Sequence, residues 1–196
     1  MSYKLILFPQ FPETVVFLSL FRNVNENIIS KIKENIMSWN EDYDFCFLNT
    51  DHIVSLEQLY CSIHKAMLNH RYGCMKARTL NAEIILNLCP TNNIMEAFKK
   101  FGINESCSNA IIIKVLPKSA SDSDNLQELN KHVTKLVGSD SSTNRELTDD
   151  TLFKIFDERK FKKIYKLNDA NSTIDAGDIQ QELTRLSIFS CQLRGF

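Results

Sequence analysis

The apolar positions of this chain alternate between runs suited to strands and stripes suited to helices. Tyr3 to Phe8 and Thr14 to Phe21 are rich in β-branched and aromatic residues and are separated by Pro9 and Pro12. That pattern predicts two strands of one sheet joined by a stiff turn. From Asn25 to Trp39 the apolar residues Ile28, Ile32, Ile36 and Trp39 recur at helical spacing, with Lys31, Lys33 and Glu34 between them, which predicts an amphipathic surface helix. Tyr43 to Leu48 reads as a short aromatic strand. Leu56, Leu59, Tyr60, Ile63 and Met67 then form a helical stripe that Gly73 ends.

Residues 80 to 88 fit two templates. Leu80, Ile84 and Leu88 share one helix face, whereas Ile84, Ile85 and Leu86 in succession suit a buried strand; the reading adopted is a buried helix. In NNIMEAFKKFGI the helix boundaries are written locally. Asn93 is placed to accept from an orphan amide, Glu96 to reach back as in a capping box, and Lys99 and Lys100 to oppose the dipole's negative end. Gly102 is expected to close the helix in the left-handed conformation. Ala110 to Leu116, stopped by Pro117, is a further buried strand. SASDSD and SDSSTN, expected to be mobile loops, bracket a weakly amphipathic helix from Leu126 to Val137; residues 148 to 167 and 178 to 193 read as two more helical segments. The order ββαβ, three helices, a strand and three helices lacks regular βαβ alternation. It predicts an α+β fold, a small mixed β-sheet packed by several α-helices, as a single domain over 1–196 with a mobile Ser/Asp-rich region at about 119–144.

Composition narrows the function. A length of 196 residues suits one core, and the net charge of -1 means that any electrostatic signal must be local. Leu5 to Phe8 is too short for the apolar part of a signal peptide, and no segment approaches the roughly 18 apolar residues of a membrane span. The chain is therefore expected to be soluble and intracellular, with its six cysteines reduced.

Several chemistries lack their residues. The five glycines stand alone, so no phosphate cradle is written; no Cys-x-x-Cys occurs, and the four histidines lack the spacing that places two imidazoles on one metal. Cys61 and His64 lie one helical turn apart, but without an oxyanion device or a third group they read as a core thiol beside an imidazole. Asp149 and Asp150 read as acids favouring a helix N-terminus. No catalytic residue, cofactor or metal site is assigned.

Two features remain. No acid occurs between Glu57 and Glu83, yet Lys65, Arg71, Lys76 and Arg78 all fall there, while residues 121 to 150 carry seven acids against Lys131, Lys135 and Arg145. A cationic loop between helices can neutralise nucleic-acid phosphates, with Tyr72 as a stacking surface; from composition alone the commoner reading is an ordinary solvated basic loop pairing with the chain's own acidic segment. The stripe of Ile179, Leu183, Leu186, Phe189 and Leu193 either closes the protein's own core or, widened by Ile188, leaves a face for a partner.

The stretch MKARTLNAEIILNLCPTNNIMEAFKKFGI, together with FPQFPETVVFLSLFRNV, KKIYKL and the ending QLRGF, resembles the kinase-associated regulatory subunit family of the KEOPS (EKC) complex, whose animal member is TPRKB. The likeness spans most of the chain outside the Ser/Asp-rich region. It implies a non-catalytic subunit that docks directly on the complex's kinase-like ATPase, acts as its allosteric effector and reaches the remaining subunits through it. It further implies help in holding tRNA while threonylcarbamoyladenosine is made beside the anticodon, a link to telomere maintenance in fungi, and residence in nucleus and cytoplasm, with no membrane partner. Lys76 and Arg78 match the family's basic loop and are the expected tRNA contacts, with Lys65 and Arg71 as neighbours inferred from charge. For the kinase-like partner the expected surface is the C-terminal helix, with Leu183, Leu186 and Phe189 as anchors and Arg185 at the rim. The alternative is a purely structural adaptor without RNA contact.

Overall fold

The computed structural model describes residues 2–138, 144–167 and 179–194. The chain forms two compact units, Met1–Asn49 with Ile103–Leu147, and Thr50–Gly102 with Thr148–Phe196. Each is assembled from two separated stretches, so neither corresponds to a contiguous piece of sequence.

The first unit is built on a sheet of five strands: β1 (Lys4–Ile6), β2 (Thr14–Arg22), β3 (Cys46–Asn49), β4 (Asn109–Pro117) and β5 (Asn144–Arg145). β2 and β4 pair along their whole length, from Thr14 opposite Pro117 to Arg22 opposite Asn109, and the path runs β1-β2-β4-β3 with β5 also on β2. The α+β class holds. All recorded pairings are antiparallel, so the sheet is not mixed in strand direction. Two helices, α1 (Glu26–Met37) and α5 (Ser123–Leu136), supply Ile29, Ile32, Leu126 and Val133 to a core with Phe17, Phe21, Phe45, Phe47 and Ile112. Phe17 and Phe21 of β2, Phe47 of β3 and Ile112 of β4 lie on one face of the sheet, Phe47 being directly opposite Ile112. At the edge, Asn144 ties the N-terminus down: its Oδ1 accepts from Ser2 N–H at 2.9 Å and its Nδ2 donates to Ser19 Oγ at 3.1 Å.

The second unit is helical: α2 (Leu56–Arg71), α3 (Leu80–Leu88), α4 (Ile94–Phe101), α6 (Asp149–Ile155), α7 (Glu158–Ile164) and α8 (Ile179–Gln192). Residues 80–88 are a buried helix, as read. The 148–167 segment is two helices, because Phe156 turns extended (ψ 153°) and Asp157 then caps α7 by accepting from Lys160 N–H at 3.0 Å. Asp149 begins α6 and also accepts the Leu56 N–H of α2 at 2.7 Å. The third strand begins at Cys46, since Glu41–Tyr43 is a 3-10 turn. Of the Ser/Asp-rich brackets, Lys118–Ala120 forms a 3-10 turn and Asp122 caps α5; residues 139–143 of SDSSTN lie outside the described residues.

Two capping expectations around α4 change. Asn93 accepts from the Met95 and Glu96 amides as read, but the Glu96 carboxylate takes the Thr91 hydroxyl at 2.8 Å instead of reaching back to the cap. Gly102 is extended (φ -70°), not left-handed. Its glycine is required by proximity: a Cβ there would sit 2.5 Å from the Phe98 carbonyl oxygen.

Candidate functional site

The interior of the helical unit is hydrogen-bonded as well as apolar. Gln58 Nε2 donates to the His52 carbonyl at 3.0 Å and to Tyr165 Oη at 2.9 Å, and Tyr165 in turn donates to the Leu88 carbonyl at 2.7 Å. Cys191 Sγ reaches that same carbonyl at 3.2 Å. Thr184 donates to Ser55 Oγ at 2.9 Å, and Gln180 donates to the Val54 and Asp149 carbonyls. This network fixes α2, α3, α7 and α8 by directional bonds, each costly to break in a low-dielectric interior.

The basic loop of residues 72–79 is held just as firmly. α2 ends with Tyr72 N–H on the Leu68 carbonyl at 3.0 Å, and Gly73 follows at φ +65°, a conformation that favours glycine. α3 opens on Thr79, whose Oγ1 accepts the Ala82 N–H at 3.1 Å. Between them, the fully buried Glu83 sends its carboxylate back into the loop. Its Oε2 accepts the backbone N–H of Lys76 at 3.0 Å and of Ala77 at 2.8 Å, and its Oε1 accepts Asn69 Nδ2 at 2.7 Å. Charge-assisted bonds of this kind are the strong ones. With Glu83 committed to loop amides and Asn69, the sole acid between Glu57 and Glu96 makes no ion pair with the loop's cations.

Lys76 and Arg78 therefore flank a buried Ala77 and both stand exposed. Lys76 Nζ donates to the neutral Asn92 side chain at 2.9 Å, and neither cation has a carboxylate partner among the described residues. Arg71 is exposed at the end of α2, and Tyr72 is 73% exposed beside it. Lys65 is placed differently. It is half-buried and donates to the Cys191 carbonyl at 3.3 Å near the end of α8. Burial, then the neighbouring Arg194 guanidinium, lowers the pKa of its ammonium, with Lys76 adding to the effect.

Sequence reasoning missed Glu83, Asn92 and Arg194. Arg194 Nη1 points at the carbonyls of Leu86, Cys89 (2.8 Å) and Thr91 (3.2 Å), and Nη2 at Asn87 Oδ1 (2.5 Å). A cation thus closes the C-terminal end of α3, where carbonyls lack intrahelical partners. Glu83 had a signal: an acid inside LNAEIILNL, a run otherwise without charge, has few ways to reach solvent. For Arg194 there was none, since its partners lie over a hundred residues upstream.

The C-terminal helix divides its stripe. Leu183 is fully buried with Thr184, Ser187 and Cys191, so it belongs to the interior and not to an outer face. Leu186 is half-buried, while Phe189 and Leu193 are 59% and 63% exposed on the same side of the helix. Arg185 is exposed and bonded to Glu182 at 3.0 Å.

Cys61 is half-buried, and burial, followed by Glu57, raises its thiol pKa, which disfavours the thiolate that a nucleophile needs. Among the described residues no cluster of three or more His, Cys, Asp or Glu is arranged to hold a metal, and no helix is long and apolar enough to cross a membrane.

Residues 21–195 match the family described as "Kinase binding protein CGI-121". The chain is 50% identical to the EKC/KEOPS complex subunit CGI121 of Debaryomyces hansenii across all of both chains. It is 41% identical to that of Candida albicans, again across all of both. The corresponding Schizosaccharomyces pombe subunit is 30% identical over 97% of this chain and 99% of its own.

Proposed function

The chain belongs to the kinase binding protein CGI-121 family, and from that premise we propose that it is a non-catalytic, kinase-binding subunit of the EKC/KEOPS complex that helps hold tRNA. The kinase-like ATPase docks on the outer face of α8, where Leu186 and Phe189 are the apolar anchors and Arg185 the rim. Leu183 supports that face from inside. Through this contact the subunit acts as an allosteric effector of the ATPase and reaches the remaining subunits. The tRNA lies against the 72–79 loop, with Lys76 and Arg78 on backbone phosphates, Arg71 beside them and Lys65 adding field from behind. The complex then forms threonylcarbamoyladenosine next to the anticodon. A role at telomeres, and residence in nucleus and cytoplasm, belong to the same reading.

The observation that carries the RNA half is the Glu83 clamp. By accepting the Lys76 and Ala77 amides it orders the loop before any ligand arrives, while leaving both cations free of carboxylates. A preorganised, unneutralised pair can release counterions from RNA without first ordering itself. The test is the Lys76→Glu/Arg78→Glu double variant in the assembled complex. Lost tRNA binding with intact kinase binding is the expected result; unchanged tRNA binding leaves the adaptor without RNA contact as the correct reading.

A further inference from the structure

In the sheet-bearing unit, helix α1 ends in a cluster of exposed apolar side chains. Met37 is 79% exposed, Trp39 is 69% exposed, and Ile36 is exposed beside them. Loose ends often expose such residues, but this end is braced. Ser38 N–H bonds the Glu34 carbonyl at 3.0 Å, Trp39 N–H the Ile36 carbonyl at 3.2 Å, and Asn40 bonds Asn35 twice, through its backbone N–H at 3.0 Å and its side chain at 2.8 Å. Trp39 itself sits at φ +57°, a left-handed conformation that suits glycine or asparagine and that a bulky residue adopts at a cost. The fold thus spends the helix-closing position on an exposed indole. Strain of this kind points toward a use for the side chain it displays.

The charges next to the indole along the chain are acidic, and the nearest cations are already engaged: Lys33 is paired with Glu105, Lys114 with Asp44, and the His132 ring lies on the Asp42 carbonyl at 2.9 Å. No Lys or Arg occurs from residue 34 to residue 64, whereas Glu34, Glu41 and Asp42 are exposed on either side of Trp39. The last turn of α1 also carries no basic residue, so its negative dipole end adds to the same field. Phosphate backbones and anionic lipid surfaces are repelled by it. A two-fold contact with a second copy would set the same acids against themselves. What fits is a cation laid on the indole face with an apolar neighbour against Met37 and Ile36.

We propose that the Ile36–Met37–Trp39 knob, ringed by Glu34, Glu41 and Asp42, docks a protein segment that presents a lysine or arginine next to an apolar side chain. The knob's residues are not those of the tRNA and kinase assignments, and the proposal stands without them. Trp39 is the sole tryptophan of the chain, so its emission reports on the knob alone.

The probe is a labelled synthetic decapeptide alternating arginine and leucine, added to the full chain, with a glutamate–leucine decapeptide as its counterpart. The basic peptide is expected to shift Trp39 emission saturably, with a dissociation constant on the order of 100 µM or tighter. Glu41→Lys/Asp42→Lys is expected to weaken that binding about tenfold by label anisotropy. Trp39→Gly is expected to weaken it similarly while keeping or raising the melting temperature, because glycine suits φ +57°. Absence of an emission shift, equal binding of the acidic peptide, or undiminished binding by both variants overturns the proposal. So does an emission change on raising protein concentration without peptide, which identifies a second copy as the occupant.

Discussion

The two units bury polarity to different extents. Around Phe17, Phe21, Ile29, Ile32 and Ile112 the sheet-bearing unit is held by close hydrocarbon packing, with a few buried polar groups such as the bonded pair Ser19 and Asn144. The helical unit buries His52, Ser55, Gln58, Ser62, Glu83, Asn87, Thr184 and Ser187 as well, and joins most of them by hydrogen bonds. Directional bonds fix angles where packing fixes only volume. A surface loop whose cations must be presented in one arrangement is better served by the second kind of interior. On this view the basic loop lies in the polar unit because Glu83 can order it there from within.

The contrast is tested first by breaking packing alone. Phe21→Ala removes a fully buried ring from the sheet unit and should cost about 3–5 kcal/mol by urea unfolding. The molecules that remain folded should bind tRNA as before. Weakened binding per folded molecule would mean that the loop's arrangement depends on the apolar core too.

Acid discriminates in the other direction. Burial lowers the His52 pKa from 6.5 to about 4, and the ring packs on Phe101 with centroids 5.3 Å apart. Above pH 6.5 both folded and unfolded forms are neutral there, and this contribution to stability is complete. Between pH 6.5 and 4 the unfolded chain takes up a proton that the folded chain refuses, so stability falls as pH falls. The loss, once pH has passed below the folded value, is on the order of 3 kcal/mol. Urea midpoints measured at pH 7 and near pH 4 should differ less in His52→Phe than in the native chain. An unchanged difference would remove His52 from the account.

Glu83→Gln keeps the shape of the clamp but replaces an acceptor-only carboxylate by an amide. It should cost about 1–3 kcal/mol and loosen residues 74–79, seen as faster hydrogen exchange at the Lys76 and Ala77 amides together with weaker tRNA binding. Arg194→Ala has the smallest expected effect, about 1 kcal/mol, through the carbonyls left open at the end of α3. Because Arg194 also depresses the Lys65 ammonium pKa, that pKa should rise in the variant, as read by NMR titration.

What could be read from the sequence divides along the same line. β2 and β4 were legible because near-continuous apolar runs between prolines have few other fates. α1 to α4 were legible from spacing, and α4 also from its Asn93 cap; Asn25, Ser55 and Thr79 cap the other three just as locally, a signal that was passed over. The cationic loop was visible as charge, but its fixture was not: Glu83 marked the edge of the patch in sequence and is its anchor in space. Leu183 and Phe189 share one periodic stripe, and periodicity alone does not say which of them meets the protein's own interior. The break at Phe156 escaped because the apolar residues continue across it, and only the Asp157 cap marks a new helix. Contacts such as Lys65 with Cys191 or Arg194 with Cys89 depend on distant pieces of chain meeting, which no local pattern encodes.

The central claim, that Lys76 and Arg78 neutralise RNA phosphates, is tested most directly by the salt dependence of tRNA binding to the assembled complex. With about four phosphates engaged as single strand, log affinity should fall against log salt with a slope near 3 in magnitude. The Lys76→Ala/Arg78→Ala variant should lower that slope by roughly 1.4. A weaker but parallel line, with the slope unchanged, would contradict the claim.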